Sequence, residues 1–186
     1  MRRRRIRIPQ RRRVFVGCEG ESERSYVVLI SRLLEERHRH VHLDPVLLGG
    51  GDPLSITETA VRQLNRLAQR RDSYATHVIF LDADKRDLVP QRTAQAVRLA
   101  VEQNLELIWQ IPCHEAFLLR HLPGCERLQP PTPELAIAEL RRRWPEYEKA
   151  MPAAGLAMRL DRGAVLRAAN VDNALLAFLE AIEFYG

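Results

Sequence analysis

Apolar positions along the chain switch between two periods, and that switching predicts the fold class. Val14–Gly17 is a short, nearly continuous apolar run closed by a glycine, as in a strand buried on both faces. From Glu21 to His38 the period becomes helical: Tyr26, Leu29, Ile30, Leu33 and Leu34 recur on one face, and Glu35, Glu36, Arg37 and Arg39 mark an exposed end. His42–Leu48 predicts a second strand, ended by Gly49-Gly50-Gly51. Asp52 or Ser55 can cap the next helix, with Pro53 near its start and Ile56, Ala60, Leu64 and Leu67 on one face as far as about Arg71. His77–Leu81 is the clearest strand. Pro90–Asn104 predicts a helix, Leu105–Ile111 a fourth strand, and Glu115–His121 a short helix beyond Pro112.

Strands that are apolar throughout and separated by helices predict an α/β fold. The expected sheet has four strands, is mostly parallel, and is covered by helices on both faces. Right-handed crossovers would make it doubly wound. The last third reads differently. Pro123–Pro133 holds four prolines and a glycine and predicts a loop. Helices are expected over Glu134–Trp144, Asp161–Ala169 and Val171–Phe184, with Asp161 and either Asn170 or Asp172 as caps. This part has too few apolar residues for a core of its own. Residues 123–186 are therefore expected to be a helical extension packed on a core of residues 14–122, one domain overall.

Composition adds exclusions. The chain is 46% hydrophobic and 28% charged, ordinary for a globular protein. No apolar run approaches the roughly 20 residues of a membrane span, so no membrane is expected. The basic N-terminus has no apolar stretch behind it and is not a secretory signal. Cys18, Cys113 and Cys125 include no close CxxC pair, which argues against a disulfide framework or a zinc ribbon and for a reducing cytoplasm. The net charge of +5 is unevenly spread. Arg2, Arg3, Arg4, Arg5, Arg7, Arg11, Arg12 and Arg13 all fall in the first thirteen positions, which hold no acid; the remainder carries 21 basic against 24 acidic residues. Residues 1–13 thus read as a basic, flexible arm suited to nucleic-acid phosphates, since Lys and Arg release counterions from a polyanion. A solvated leader without a partner has the same composition.

Candidate chemistry lies at the strand ends. In parallel α/β sheets ligands bind beyond the carboxyl ends of the strands. Glu19-Gly20 follows the first strand, Asp82-Ala83-Asp84 the third, and Glu115 the fourth after a few residues. Gathered carboxylates repel one another unless a cation neutralises them. Mg²⁺ is hard, prefers oxygen, and commonly uses one or two carboxylates while keeping several waters. Glu19, Asp82, Asp84 and Glu115 are therefore candidate metal ligands, and Gly20 is expected to let the backbone turn sharply and leave room for a phosphate. Taken singly, an Asp-x-Asp also suits a loop or a helix cap, and Glu19-Gly20 before Glu21, Glu23 and Arg24 suits an ordinary helix start. Asp87 has looser spacing and suits a surface position equally well.

At these residues the chain resembles the Toprim proteins, whose signature is Glu-Gly after a first strand and Asp-x-Asp after a later one. More narrowly it resembles the RloB-like group, linked with prokaryotic restriction and abortive-infection loci. The carrying segments are Val14-Phe15-Val16-Gly17-Cys18-Glu19-Gly20-Glu21-Ser22-Glu23 with Tyr26, then Phe80-Leu81-Asp82-Ala83-Asp84, then Ile111-Pro112-Cys113-His114-Glu115-Ala116-Phe117-Leu118-Leu119-Arg120-His121. Ser22 stands where that group often has Thr, His114 where it often has Phe, and Phe117 where it often has Trp.

The resemblance implies a Toprim-like, Rossmann-like core and a nuclease acting on the phosphodiester bonds of DNA or RNA in anti-phage defence. Asp82 and Asp84 would hold Mg²⁺ or Mn²⁺, Glu19 would be a general base or second ligand, and Glu115 an accessory ligand. Lys85 and Arg86, beside the metal loop, are candidates to stabilise developing charge, with a solvated basic pair as the alternative. His114 suits a proton relay or a helix start; Tyr26, Trp109 and Cys113 suit packing. The competing reading is a non-catalytic nucleic-acid-binding or sensor subunit working with a larger defence protein such as an ATPase. No Gly-x-x-x-x-Gly-Lys-Ser/Thr loop is present, so an ATPase would be a partner. A homo-oligomer suits either reading. The Phe80–Asp84 run also resembles the nucleophile loop of haloacid-dehalogenase phosphatases, but Arg86 replaces the expected Thr and the motif falls on the third strand.

Overall fold

Val14, Phe15 and Val16 are inaccessible to solvent on both sides of their strand, which is possible only for an inner strand with helices on each face. The computed structural model, which describes residues 11–69 and 73–185, places them there. Strands β1 (Arg12–Cys18), β2 (Val41–Leu47), β3 (Thr76–Asp82) and β4 (Glu106–Gln110) form one sheet in the order β2-β1-β3-β4. Every neighbouring pair is parallel, so the sheet is wholly rather than mostly parallel. Val16 lies opposite Pro45 on one side and Val78 on the other.

The two faces carry separate cores. Val14, Val16, Cys18, Val78 and Phe80 meet α1 (Glu21–Glu36) through Tyr26, Leu29, Ile30, Leu33 and Leu34. Phe15, Ile79 and Leu81 point the other way, onto α2 (Pro53–Ala68) and α3 (Pro90–Glu102) through Ile56, Ala60 and Ala100. Asp52, rather than Ser55, caps α2 by accepting the Leu54 and Ser55 N–H groups. Gly17 faces this second core. A Cβ there would stand 2.7 Å from Leu48 Cδ1 and 3.3 Å from Ile79 Cγ1, so the missing side chain is what lets Leu48 close on the sheet.

The chain runs outward from β1 through α1 to β2, then back past β1 through α2 to β3 and on to β4. The winding reverses between β1 and β3, so the crevice beyond their carboxyl ends is the topological switch point.

The C-terminal helices are α4 (His114–Leu119), α5 (Pro133–Arg143), the short α6 (Ala153–Leu156), α7 (Arg162–Ala169) and α8 (Asn173–Ala181). Thr132, Asp161 and Asp172 cap α5, α7 and α8 through their side-chain oxygens; Asn170 instead ends α7. Leu140, Trp144, Tyr147, Val165, Leu175 and Phe184 belong to the same apolar cluster as Val14 and Phe80. Phe178 meets Phe80 edge-to-face at 5.3 Å between ring centroids.

Because the extension and the sheet share one core, they unfold together. Phe178→Ala should cost about 3–5 kcal/mol. Far-UV circular dichroism and the emission of Trp109, in the sheet, and Trp144, in the extension, should still report one coincident denaturant transition. Two separated transitions would show that the extension has a core of its own.

Candidate functional site

β1 and β3 are hydrogen-bonded neighbours, so the residues just beyond their ends are forced together. Glu19 Oε2 accepts the backbone N–H of Asp82 at 3.2 Å. The Asp82 Oδ1 is buried and has no hydrogen-bond partner. Burial, and then the carboxylates of Glu23, Glu19, Glu115 and Asp84, push the Asp82 carboxyl up to about 8. Burial also raises Glu19, with Glu23 and Asp84 adding to it; the Asp82 N–H and the Lys85 ammonium pull the other way.

The loop after β3 is fastened on two sides. The Ala83 N–H donates to the carbonyls of Gln110 and Pro112 at 3.0 and 3.1 Å, tying it to the end of β4. Lys85 Nζ donates to the Gly51 carbonyl at 3.0 Å, tying it to the glycine run after β2. Asp84 is exposed at the rim, as are Arg86 and Asp87. The Arg86 guanidinium lies over the Trp109 ring, 5.4 Å from its centroid.

A second, buried row stands behind. Glu23, only 4% exposed, is the third residue of α1 and reaches back to accept the Gly20 N–H at 2.7 Å. Burial raises its pKa, and Glu115 adds to this. Its other oxygen stands 3.5 Å from His114 Nδ1. That nitrogen accepts from the Gln110 side-chain amide at 2.8 Å, and burial pulls His114 down to about 4, so the ring is neutral near pH 7. Glu115, 3% exposed, accepts the Tyr147 hydroxyl at 3.3 Å. His121 is also buried and neutral; its Nδ1–H donates to the Phe117 carbonyl and its Nε2 accepts from the Tyr26 hydroxyl at 2.9 Å.

Of the expected site residues, Glu19, Asp82 and Asp84 therefore meet at one edge. Glu115 lies within electrostatic reach of Asp82 but is held from behind by Tyr147. Lys85 is engaged by a carbonyl. Glu23, Gln110 and Tyr147 were not expected: Glu23 read as an ordinary helix-start acid, and no pattern marks Gln110 or Tyr147. Gly20 requires a correction. Its φ of −145° is extended backbone open to any residue, and a Cβ there would stand 3.4 Å from Glu23 Oε2, so no glycine-only turn follows Glu19.

The arm is also corrected at its inner end. Arg12 and Arg13 belong to β1. Arg13 pairs with Asp44 and donates to the Tyr74 hydroxyl at 3.0 Å. Arg12 donates to the Ala181 carbonyl and stands 3.4 Å from Glu183. Arg11 stands 3.7 Å from Glu35. Arg12 and Arg13 anchor the strand, because a strand start next to acids and helix-end carbonyls supplies partners that a free arm lacks; the Arg11–Glu35 pair is exposed and holds little. Arg2, Arg3, Arg4, Arg5 and Arg7 lie outside the described residues.

Among the described residues, no three His, Cys, Asp or Glu side chains are already arranged to hold a metal ion. The donor chemistry nevertheless fits a hard divalent cation. The front residues offer oxygen only, Asp82 Oδ1 lacks a partner, and the crowded carboxylates repel one another.

The crowding has a pH signature. The folded-state Asp82 value of about 8 lies above its ordinary 3.8. Its stabilising contribution is therefore complete below about pH 4 and is lost as pH rises through about 8. Glu19 and Glu23 act in the same direction. In chelator, the wild-type unfolding free energy should fall between about pH 5 and 8, and Asp82→Asn should flatten the fall. Equal slopes in the two proteins would contradict this electrostatic picture.

The family model for RloB-like proteins matches residues 14–174, a span that includes β2, β3, β4, all of β1 but Arg12 and Arg13, and all the carboxylates of the site. No curated protein and no solved structure matches the chain. With most of its length matched, the chain belongs to the RloB-like family.

Proposed function

We propose that this protein is a divalent-metal-dependent, Toprim-type nuclease that hydrolyses phosphodiester bonds of nucleic acid. The observation that carries the reading is the convergence of Glu19, Asp82 and Asp84 at the switch point, with a buried, unpartnered Asp82 Oδ1. Asp82 and Asp84 would hold Mg²⁺ or Mn²⁺. When bound, the ion supplies Lewis-acid polarisation of the phosphate and a more acidic water.

The protein's own groups do the rest. Glu19 is held by the Asp82 amide, so its carboxylate is oriented before substrate arrives. Its raised pKa suits a general base, which works best with a pKa near the working pH. Glu23 grips the Gly20 amide and fixes the turn that carries Glu19. Lys85, tethered to Gly51, brings positive charge to Glu19. Arg86, on the same loop, has no acidic partner among the described residues and can stabilise charge on a leaving oxygen. A defence role in the prokaryotic cytoplasm, beside a larger partner, rests on family membership. No helix among the described residues is long and apolar enough to cross a membrane.

A sensor without turnover is the second reading.

Purified protein with Mg²⁺ or Mn²⁺ should cut labelled DNA or RNA, and Asp82→Ala or Asp84→Asn should each lower the rate at least about a hundredfold. Rates unchanged in both variants would remove the nuclease reading. Deleting residues 2–10 should weaken nucleic-acid binding and flatten its dependence on salt. An unaltered salt slope would show that these arginines touch no phosphate.

A further inference from the structure

The loop after β3 borders two clefts on the side of edge strand β4. One, of about 620 Å³, is lined by Asp84, Arg86, Asp87 and Ile111 and walled by the Pro131–Glu134 segment. The other, of about 660 Å³, continues from the same Arg86 and Ile111 past Trp109 to Arg120 and Arg127. Arg86 and Ile111 line both, so the two clefts adjoin and make a groove with the rim carboxylate Asp84 on one side of Arg86 and Trp109 on the other.

The charge of the far half follows from its pairings. Its two acids are already compensated. Asp172 accepts from Arg120 Nη1 at 2.9 Å and from the first amides of α8; Glu126 stands 3.6 Å from the Arg167 guanidinium. Arg120 is 7% exposed, and its second nitrogen donates to the Ile111 carbonyl at 2.6 Å, so it is a fixed part of the wall. Arg86 and Arg127 are exposed and have no acidic partner among the described residues. The free charge of this half is therefore positive, and it flanks a half-buried indole.

We infer that this groove binds single-stranded nucleic acid, with an unstacked base at Trp109 and Arg86 and the adjoining phosphate at Arg127. The inference rests on the nuclease reading for what happens at Asp84, but binding in the groove needs no metal. Arginine planes and indole rings both stack on bases, whichever base is present. A duplex keeps its bases stacked inside and could offer the groove only phosphates. Trp109 lies on β4, packed against the second core and only partly exposed, so it can take only a base already splayed out. A cationic wall next to the aromatic supplies the sequence-independent attraction for the backbone. Strand polarity aside, the scissile phosphate would then lie at Asp84, on the side of the stacked base away from Arg127.

The test titrates wild-type protein, in chelator so that nothing is cut, with labelled oligo(dT), oligo(rU) and a duplex of equal length. Both single strands should quench Trp109 fluorescence and bind at least about tenfold more tightly than the duplex. Arg127→Glu, at an exposed position, should weaken single-strand binding about tenfold and reduce the salt slope. Trp109→Leu should weaken it by a similar factor and abolish the quenching, leaving only the Trp144 signal. The inference is overturned if the duplex binds as tightly as the single strands, if both variants bind like wild type, or if wild type binds no oligonucleotide. Unequal binding of oligo(dT) and oligo(rU) would assign the sugar without altering the groove. Intact groove binding with no cleavage on adding Mg²⁺ would defeat the nuclease reading alone.

Discussion

Mutual repulsion among buried and half-buried carboxylates is the constraint on which the site depends. The sheet order makes β1 and β3 neighbours, so Glu19 and Asp82 cannot separate without breaking the ladder between them. Glu23 and Glu115 add charge from behind, and Asp84 from the rim. A protein gains nothing in stability from such crowding; proton uptake or a cation can relieve it, and the sheet keeps the groups in place for either. The buried Asp82 oxygen without a partner is the local expression of that tension.

The remainder of the fold holds this edge rigid. Both core clusters clamp β1 and β3 between layers of helices. The loop beyond β3 is fastened to β4 through Ala83 and to the glycine run through Lys85. At the opposite end of β1, some 20 Å away for a seven-residue strand, Arg12 and Arg13 lock the strand to the C-terminal helix end and to β2. Positive and negative chemistry thus occupy opposite ends of one strand.

Much of this was legible from residue pattern. The strands are apolar throughout because both faces are covered, and that makes an α/β sheet readable in Val14–Val16 and Val78–Leu81. That Glu19, Asp82 and Asp84 would meet at one edge was legible because all three follow the ends of strands that pair in the sheet. The second row was not. Nothing local distinguishes Glu23, buried under α4, from Glu21, exposed one turn edge away, and the Tyr147–Glu115 contact joins segments whose meeting depends on tertiary packing. The arm was read too long for a related reason. An arginine run looks uniform in sequence, but its last members face Glu35, Glu183 and Asp44, which only the fold brings near.

Calorimetric titration of the metal-stripped protein with Mn²⁺ tests the convergence of the carboxylates most directly. The account predicts saturable binding in wild type, lost in Asp82→Asn and weakened in Glu19→Gln, with proton release measurable as a dependence on buffer ionisation heat. Heats that do not saturate, or binding that survives Asp82→Asn unchanged, would contradict it.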